Sequence, residues 1–125
     1  MRVYIIGNSL LAADSLPVKL LPDLKIAFPR LHFDEVDPNE NFIPEEGSVI
    51  VDTVEGIRDV QKFSDLHAFV TTKSVTPHDY DLGFHLQLLT KLKKISGVRI
   101  IGVPPHGAKK YIMQSVVELL REYEH

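Results

Sequence analysis

The sequence predicts an α/β fold: a three-layer α/β/α sandwich around a mostly parallel, twisted sheet of about five strands. Three observations carry that expectation. Short β-rich runs are separated by segments with helical periodicity, the order of elements that builds a parallel sheet. RVYII at Arg2–Ile6 is a short apolar run, and SVIVDTV at Ser48–Val54 is apolar on both faces until Asp52. Strands of that kind suit a sheet covered on both sides. Gly7-Asn8, Ser96-Gly97 and Pro104-Pro105 punctuate the boundaries between segments, as turn and stop signals do.

Taken in order, Arg2–Ile6 is a buried strand meeting a loop at Gly7-Asn8. A helix is expected from Asp14 or Ser15, either of which can cap it. Pro17 suits its first turn, and Leu16, Leu20, Leu24 and Phe28 line one face at helical spacing. Pro22 sits inside that pattern and is expected to kink or shorten the helix. Leu31–Val36 alternates as a second, more exposed strand, and DPNENFIPEEG at Asp37–Gly47 is a turn-rich loop. Ser48–Val54 is the third strand and Asp65–Ser74 (DLHAFVTTKS) a fourth β-rich stretch. Asp79–Ile95 is amphipathic through Leu82, Leu86, Leu89 and Ile95, with a stop at Ser96-Gly97. Val98–Val103 is the last strand. Ala108–Glu124 is the last helix, striped by Ile112, Val116, Leu119 and Tyr123. No repeat or linker divides the chain, so residues 1–125 read as one domain.

Composition narrows the function classes. With 125 residues the chain is long enough for a core without metal or disulfide staples. A net charge of −3 gives no reason to expect a nucleic acid as partner. The absence of cysteine excludes a disulfide, a thiolate nucleophile and a cysteine-bound zinc supplied by this chain. The apolar run in MRVYIIGNS is too short for a signal-peptide core, and no stretch approaches a membrane span. A cytoplasmic monomer is expected.

Ligand crevices of parallel α/β sheets lie beyond the carboxyl ends of the strands. Three residues stand just past predicted strands. Asp14 reads as a helix N-cap or a ligand-facing acid. Asp52 reads as a turn former or a strand-end ligand. His78, in Thr76-Pro77-His78, reads as a solvated side chain or a metal ligand. Together, two carboxylates and an imidazole offer the oxygen and nitrogen donors suited to a borderline metal such as nickel or zinc.

Four blocks then occur in order. They are Gly7-Asn8-x-Leu10-x-x-x-Asp14, Val49-Ile50-Val51-Asp52-Thr53-Val54, Pro77-His78-Asp79-Tyr80-Asp81-Leu82 and Ile101-Gly102-Val103-Pro104-Pro105. In this the chain resembles the hydrogenase maturation protease family, nickel-dependent endopeptidases that trim the carboxyl-terminal extension from the large subunit of nickel–iron hydrogenases. The resemblance runs from the first strand to the last. It implies that Asp14, Asp52 and His78 are both the catalytic and the metal-contacting residues. It also implies that the partner is a hydrogenase large-subunit precursor, which brings nickel already inserted beside its own cysteines. Cleavage is then conditional on metal loading.

The chain departs from the family's pattern at named positions. Ile5 stands where the first glycine of the Gly-x-Gly-Asn loop is usual, Ala13 where the first acid of a pair is, and Ser15 and Pro17 where glycines follow. Asp37–Gly47 is too short for the helix seen there in typical members. These departures leave a family paralogue that binds a hydrogenase or metallochaperone without cutting as the alternative. A phospho-acceptor receiver domain shares the length, the fold class and a mid-chain strand-end acid, with Asp52 as acceptor. It lacks here the acidic pair after the first strand and the lysine after the last. A peptidyl-tRNA hydrolase-like enzyme also runs from its first strand into Gly-Asn, but the first histidine here is His32, beyond the first helix.

The other polar residues are assigned by position. His32, His67, His85 and His125 are surface or core-edge histidines. His106 follows the last strand, a position that by itself is only a weak cue for a place near the same crevice. Thr53 and Thr76 are candidate supports of the ligands. Asp79 and Asp81 charge the start of the following helix, and Lys91, Lys93 and Lys94 form a solvated face.

Overall fold

The computed structural model describes residues 1–7, 16–37, 42–72 and 82–124. Five strands form one sheet: β1 (Arg2–Ile6), β2 (His32–Val36), β3 (Val49–Thr53), β4 (Gln61–Phe63) and β5 (Ile100–Val103). The helices are α1 (Leu16–Ala27), α2 (Leu66–Thr72), α3 (Leu82–Lys91) and α4 (Lys109–Tyr123). Strand order is β2-β1-β3-β5-β4, with β1, β2, β3 and β5 parallel and the edge strand β4 antiparallel to β5. This is the α/β class that the alternation of segments predicts.

The apolar strands separate their side chains onto two faces, because successive residues of a strand point to opposite sides. Val3, Ile5, Val49, Val51, Ile101 and Val103 join Leu20 and Leu24 of α1 and Ile112, Val116 and Leu120 of α4 in one core. Tyr4, Ile6, Ile50 and Ile100 join Phe69 of α2 and Leu82, Leu86 and Leu89 of α3 in the other. Helices therefore cover both faces of the sheet, in three layers. On the second face Phe42 meets Tyr4 edge-on at 4.8 Å between ring centres, and Phe63 meets Phe69 at 5.6 Å. Edge-on pairing aligns the positive ring edge with the negative ring face.

Three expectations are corrected. The first concerns Asp65–Ser74, which holds a helix, α2, rather than a strand. Asp65 accepts a hydrogen bond from the His67 backbone N–H at 2.9 Å, and the Phe69 N–H donates to the Asp65 carbonyl at 3.2 Å. That is N-cap geometry, and it outweighs the β-branched run Val70-Thr71-Thr72. The remaining strand of the sheet is instead the three-residue β4, which ends in buried Phe63.

The second correction concerns Pro22, which does not shorten α1. Its missing N–H leaves the Val18 carbonyl without its intrahelical donor, yet α1 continues to Ala27. Full burial of Leu20 and Leu24 holds the helix across the proline. The third concerns α3, which stops at Lys91, ahead of Ser96-Gly97. The Lys94 N–H donates to the Leu89 carbonyl at 2.9 Å and the Lys93 N–H to the Thr90 carbonyl at 3.1 Å, with Lys93 at φ 59°. This is a Schellman closure with lysine in the left-handed position usually held by glycine. Among the described residues, no helix is long and apolar enough to cross a membrane.

Candidate functional site

The strand order fixes where a crevice opens. From β1 the chain moves outward to β2, then returns to the other side of β1 for β3. The reversal makes the carboxyl ends of β1 and β3 the switch point of the sheet, where neighbouring connections leave in opposite directions. Gly7 ends β1 there, its N–H donating to the Val36 carbonyl at 3.0 Å. Asp52 and Thr53 end β3 there.

Asp52 is 5% exposed and is the one buried charged side chain among the described residues. A polar break in a buried apolar strand is informative, since burying a carboxylate is costly and an apolar residue would serve packing better. Strand alternation puts it on the Ile50 and Val54 side, the face covered by α2 and α3. Thr53, half-buried, belongs to the opposite face. The other buried polar residue, Ser48, lies at the amino end of β3 and donates its Oγ–H to the Glu45 carbonyl at 2.6 Å.

The partner of Asp52 across β5 is Gly102. A Cβ there would stand 2.8 Å from Phe63 Cε2, 2.9 Å from Val54 Cγ2 and 3.4 Å from Ile57 Cδ1. Thus β5 contributes no side chain beside Asp52, and Phe63, Val54 and Ile57 fill the space. Sequence reasoning gave Gly102 no structural role. The signal was present as a glycine inside an otherwise apolar strand, a mark of close approach.

Asp14 and His78 lie outside the described residues. Asp14 belongs to the connection that leaves β1 at Gly7 and resumes at Leu16, and His78 to the one between α2 and α3. The described element nearest before His78 in the chain is the helix α2, where a strand was expected. Thr76, Asp79, Asp81 and His125 also lie outside. Among the described residues, no group of three or more His, Asp or Glu side chains gathers to hold a metal ion.

The remaining histidines occupy separate places. His32 and His67 are exposed, and His106 is exposed beyond β5. His85 is half-buried on α3, with Nε2 at 2.6 Å from the Phe42 carbonyl oxygen, so it fastens a loop to the helix. At the start of β1, Arg2 pairs with Asp34 and, at 3.3 Å, with Glu45. The hydrogen bond to Asp34, and then that residue's charge, hold the Arg2 guanidinium above its ordinary pKa.

Fold and edge together define an open α/β protein with a buried acid at the switch point of its sheet. No protein-family model, curated protein or solved structure matches the chain.

Proposed function

We propose that the chain is a nickel-dependent endopeptidase, a hydrolase that removes the carboxyl-terminal extension of a nickel-loaded hydrogenase large-subunit precursor. The observation that carries this reading is Asp52, a carboxylate kept buried at the β1/β3 switch point within the block VIVDTV. In this reading Asp14 and His78 complete the donor set through their motif positions, and the reaction belongs to a cytoplasmic monomer.

The nickel is part of the substrate. This chain has no cysteine, so soft ligands come from the precursor, while two carboxylates and a neutral imidazole add harder donors. Burial suits Asp52 to that task, because a low local dielectric strengthens its attraction to a cation brought by the substrate. A metal with open positions polarises a carbonyl or activates water, which makes cutting depend on loading. A second reading, a paralogue that binds the precursor or a metallochaperone without cutting, is favoured by Ala13, Ser15 and Pro17 near Asp14.

The test is incubation of the purified chain with nickel-loaded precursor, following the released peptide by mass spectrometry. Wild type should release it, and Asp14→Asn, Asp52→Asn and His78→Ala should not. Asparagine caps a helix about as well as aspartate, so Asp14→Asn removes charge without removing a cap. A wild-type chain that binds the precursor and leaves it intact sinks the protease reading in favour of the second.

A further inference from the structure

The helix α3 carries more apolar surface than the core uses. Leu82, Leu86 and Leu89 are buried, yet Leu88 and Leu92 are 46% and 58% exposed, and Phe84 is 64% exposed. Positions 84, 88 and 92 are four residues apart, and Leu92, one residue past the end of α3, still donates its N–H to the Leu88 carbonyl at 3.0 Å, so the three form one row. Exposed Ile43 emerges beside the same helix, because the preceding residue, Phe42, holds His85 through its carbonyl. At the end of the row stand Lys91, Lys93 and Lys94, all exposed.

The row has a direction relative to the sheet. Its lysine end shares a shallow cavity with Glu46, Thr90, Ile95 and Ser96, and Glu46 precedes β3, so that end lies at the amino edge. A helix of 10 residues runs about 15 Å and returns from there toward the carboxyl edge, on the face that Asp52 shares. The row is therefore a track leading toward the switch point.

We infer that the outer face of α3 is the docking track for the precursor, engaged by an apolar segment with acidic residues at the end that meets Lys91, Lys93 and Lys94. This rests on the proposed protease reading for the identity of the partner. Area argues against a second copy of this chain. The row exposes on the order of 300 Å², against about 800 Å² buried by each partner of a stable complex. A face of that size suits a transient contact, as an enzyme needs with a protein substrate that must leave. The lysines give the segment its polarity, since an acidic end paired with them fixes which end lies toward Asp52.

The experiment measures binding of nickel-loaded precursor by titration calorimetry, with cleavage followed in parallel, for wild type, Leu88→Ser, Leu92→Ser and the pair Lys91→Glu with Lys94→Glu. Circular dichroism checks that each variant is folded. The expected result is measurable but readily reversible binding by wild type, at least 10-fold weaker binding by each variant, and a loss in the charge-reversed pair that shrinks at high salt. Variants that bind as wild type does overturn the docking track and leave the reading of Asp52 standing. A wild type that binds but does not cut sinks the protease activity alone, and one that does not bind overturns both. A dimer that Leu88→Ser dissociates gives the face to a second copy and overturns the choice of partner.

Discussion

Replacing Gly102 with alanine should destabilise the protein by about 2 kcal/mol, the middle of the range for forcing a methyl group into a filled core. The added carbon would meet Phe63 Cε2 at 2.8 Å and Val54 Cγ2 at 2.9 Å, separations that side-chain carbons do not hold without something moving. Val54 is fully buried and its branch is short, so it has nowhere to go. Phe63 is held by Phe69 on one side and by the pairing of β4 with β5 on the other. For a chain of this size, 2 kcal/mol corresponds to a fall in Tm of roughly 8 °C. Differential scanning calorimetry reads that directly. Phe63→Leu removes ring atoms at the point of contact, so the pair Gly102→Ala with Phe63→Leu should lose less than the two single changes added together. A Gly102→Ala protein within about 0.5 kcal/mol of wild type would refute the reasoning, because it would mean that the wall beside Asp52 yields freely.

Three further changes test the local chemistry. Lys93→Gly should raise stability by roughly 0.5–1 kcal/mol, seen as a higher urea midpoint, because Lys93 holds φ 59° at the end of α3; a lower midpoint would contradict the left-handed closure. Asp65→Ala should cost about 1 kcal/mol and Asp65→Asn far less, since the side-chain oxygen bonded to the His67 N–H is what caps α2; equal losses would point to the charge instead. Tyr123→Phe should raise stability by about 1 kcal/mol, because the Tyr123 hydroxyl is buried without a hydrogen-bond partner among the described residues; a loss in thermal denaturation would reveal a partner for it.

The strands that were legible in the sequence are those whose environment is simplest. Arg2–Ile6 has the bounds read from RVYII, and the cores of the third and last strands fall where continuous apolar runs were seen. Burial on both faces leaves a composition that local signals cannot mask. Three-residue β4 carries only one buried side chain, too little for a period, and is held by its pairing with β5. The helix α2 was misread because β-branched residues outnumbered its one strong signal, the capping Asp65. The shortening expected at Pro22 does not occur, because burial of its neighbours, a tertiary effect, carries α1 on to Ala27. At the candidate site, Asp52 was legible as the polar break in VIVDTV. Gly102, its partner on the next strand, acquires meaning only through register.

The described elements on either side of His78 fix which edge of the sheet the chain resumes on. Antiparallel pairing makes β4 run from beside Gly102 at Gln61 to beside Ile100 at Phe63, which returns the chain toward the amino edge. From α3 the chain must again reach the amino edge to begin β5, so Leu82, at the other end of that helix, lies toward the carboxyl edge. The connection from α2 to α3 thus rejoins the fold on the side where β1 ends at Gly7, and under the proposed reading Asp14 and His78 meet there beside Asp52. The absence of cysteine makes the test clean. Asp14→Cys with His78→Cys, each carrying a nitroxide label, should give a short, single distance by pulsed electron resonance. A separation near the width of a small domain, about 30 Å, would place the two residues apart and leave Asp52 without the partners that nickel sensing requires.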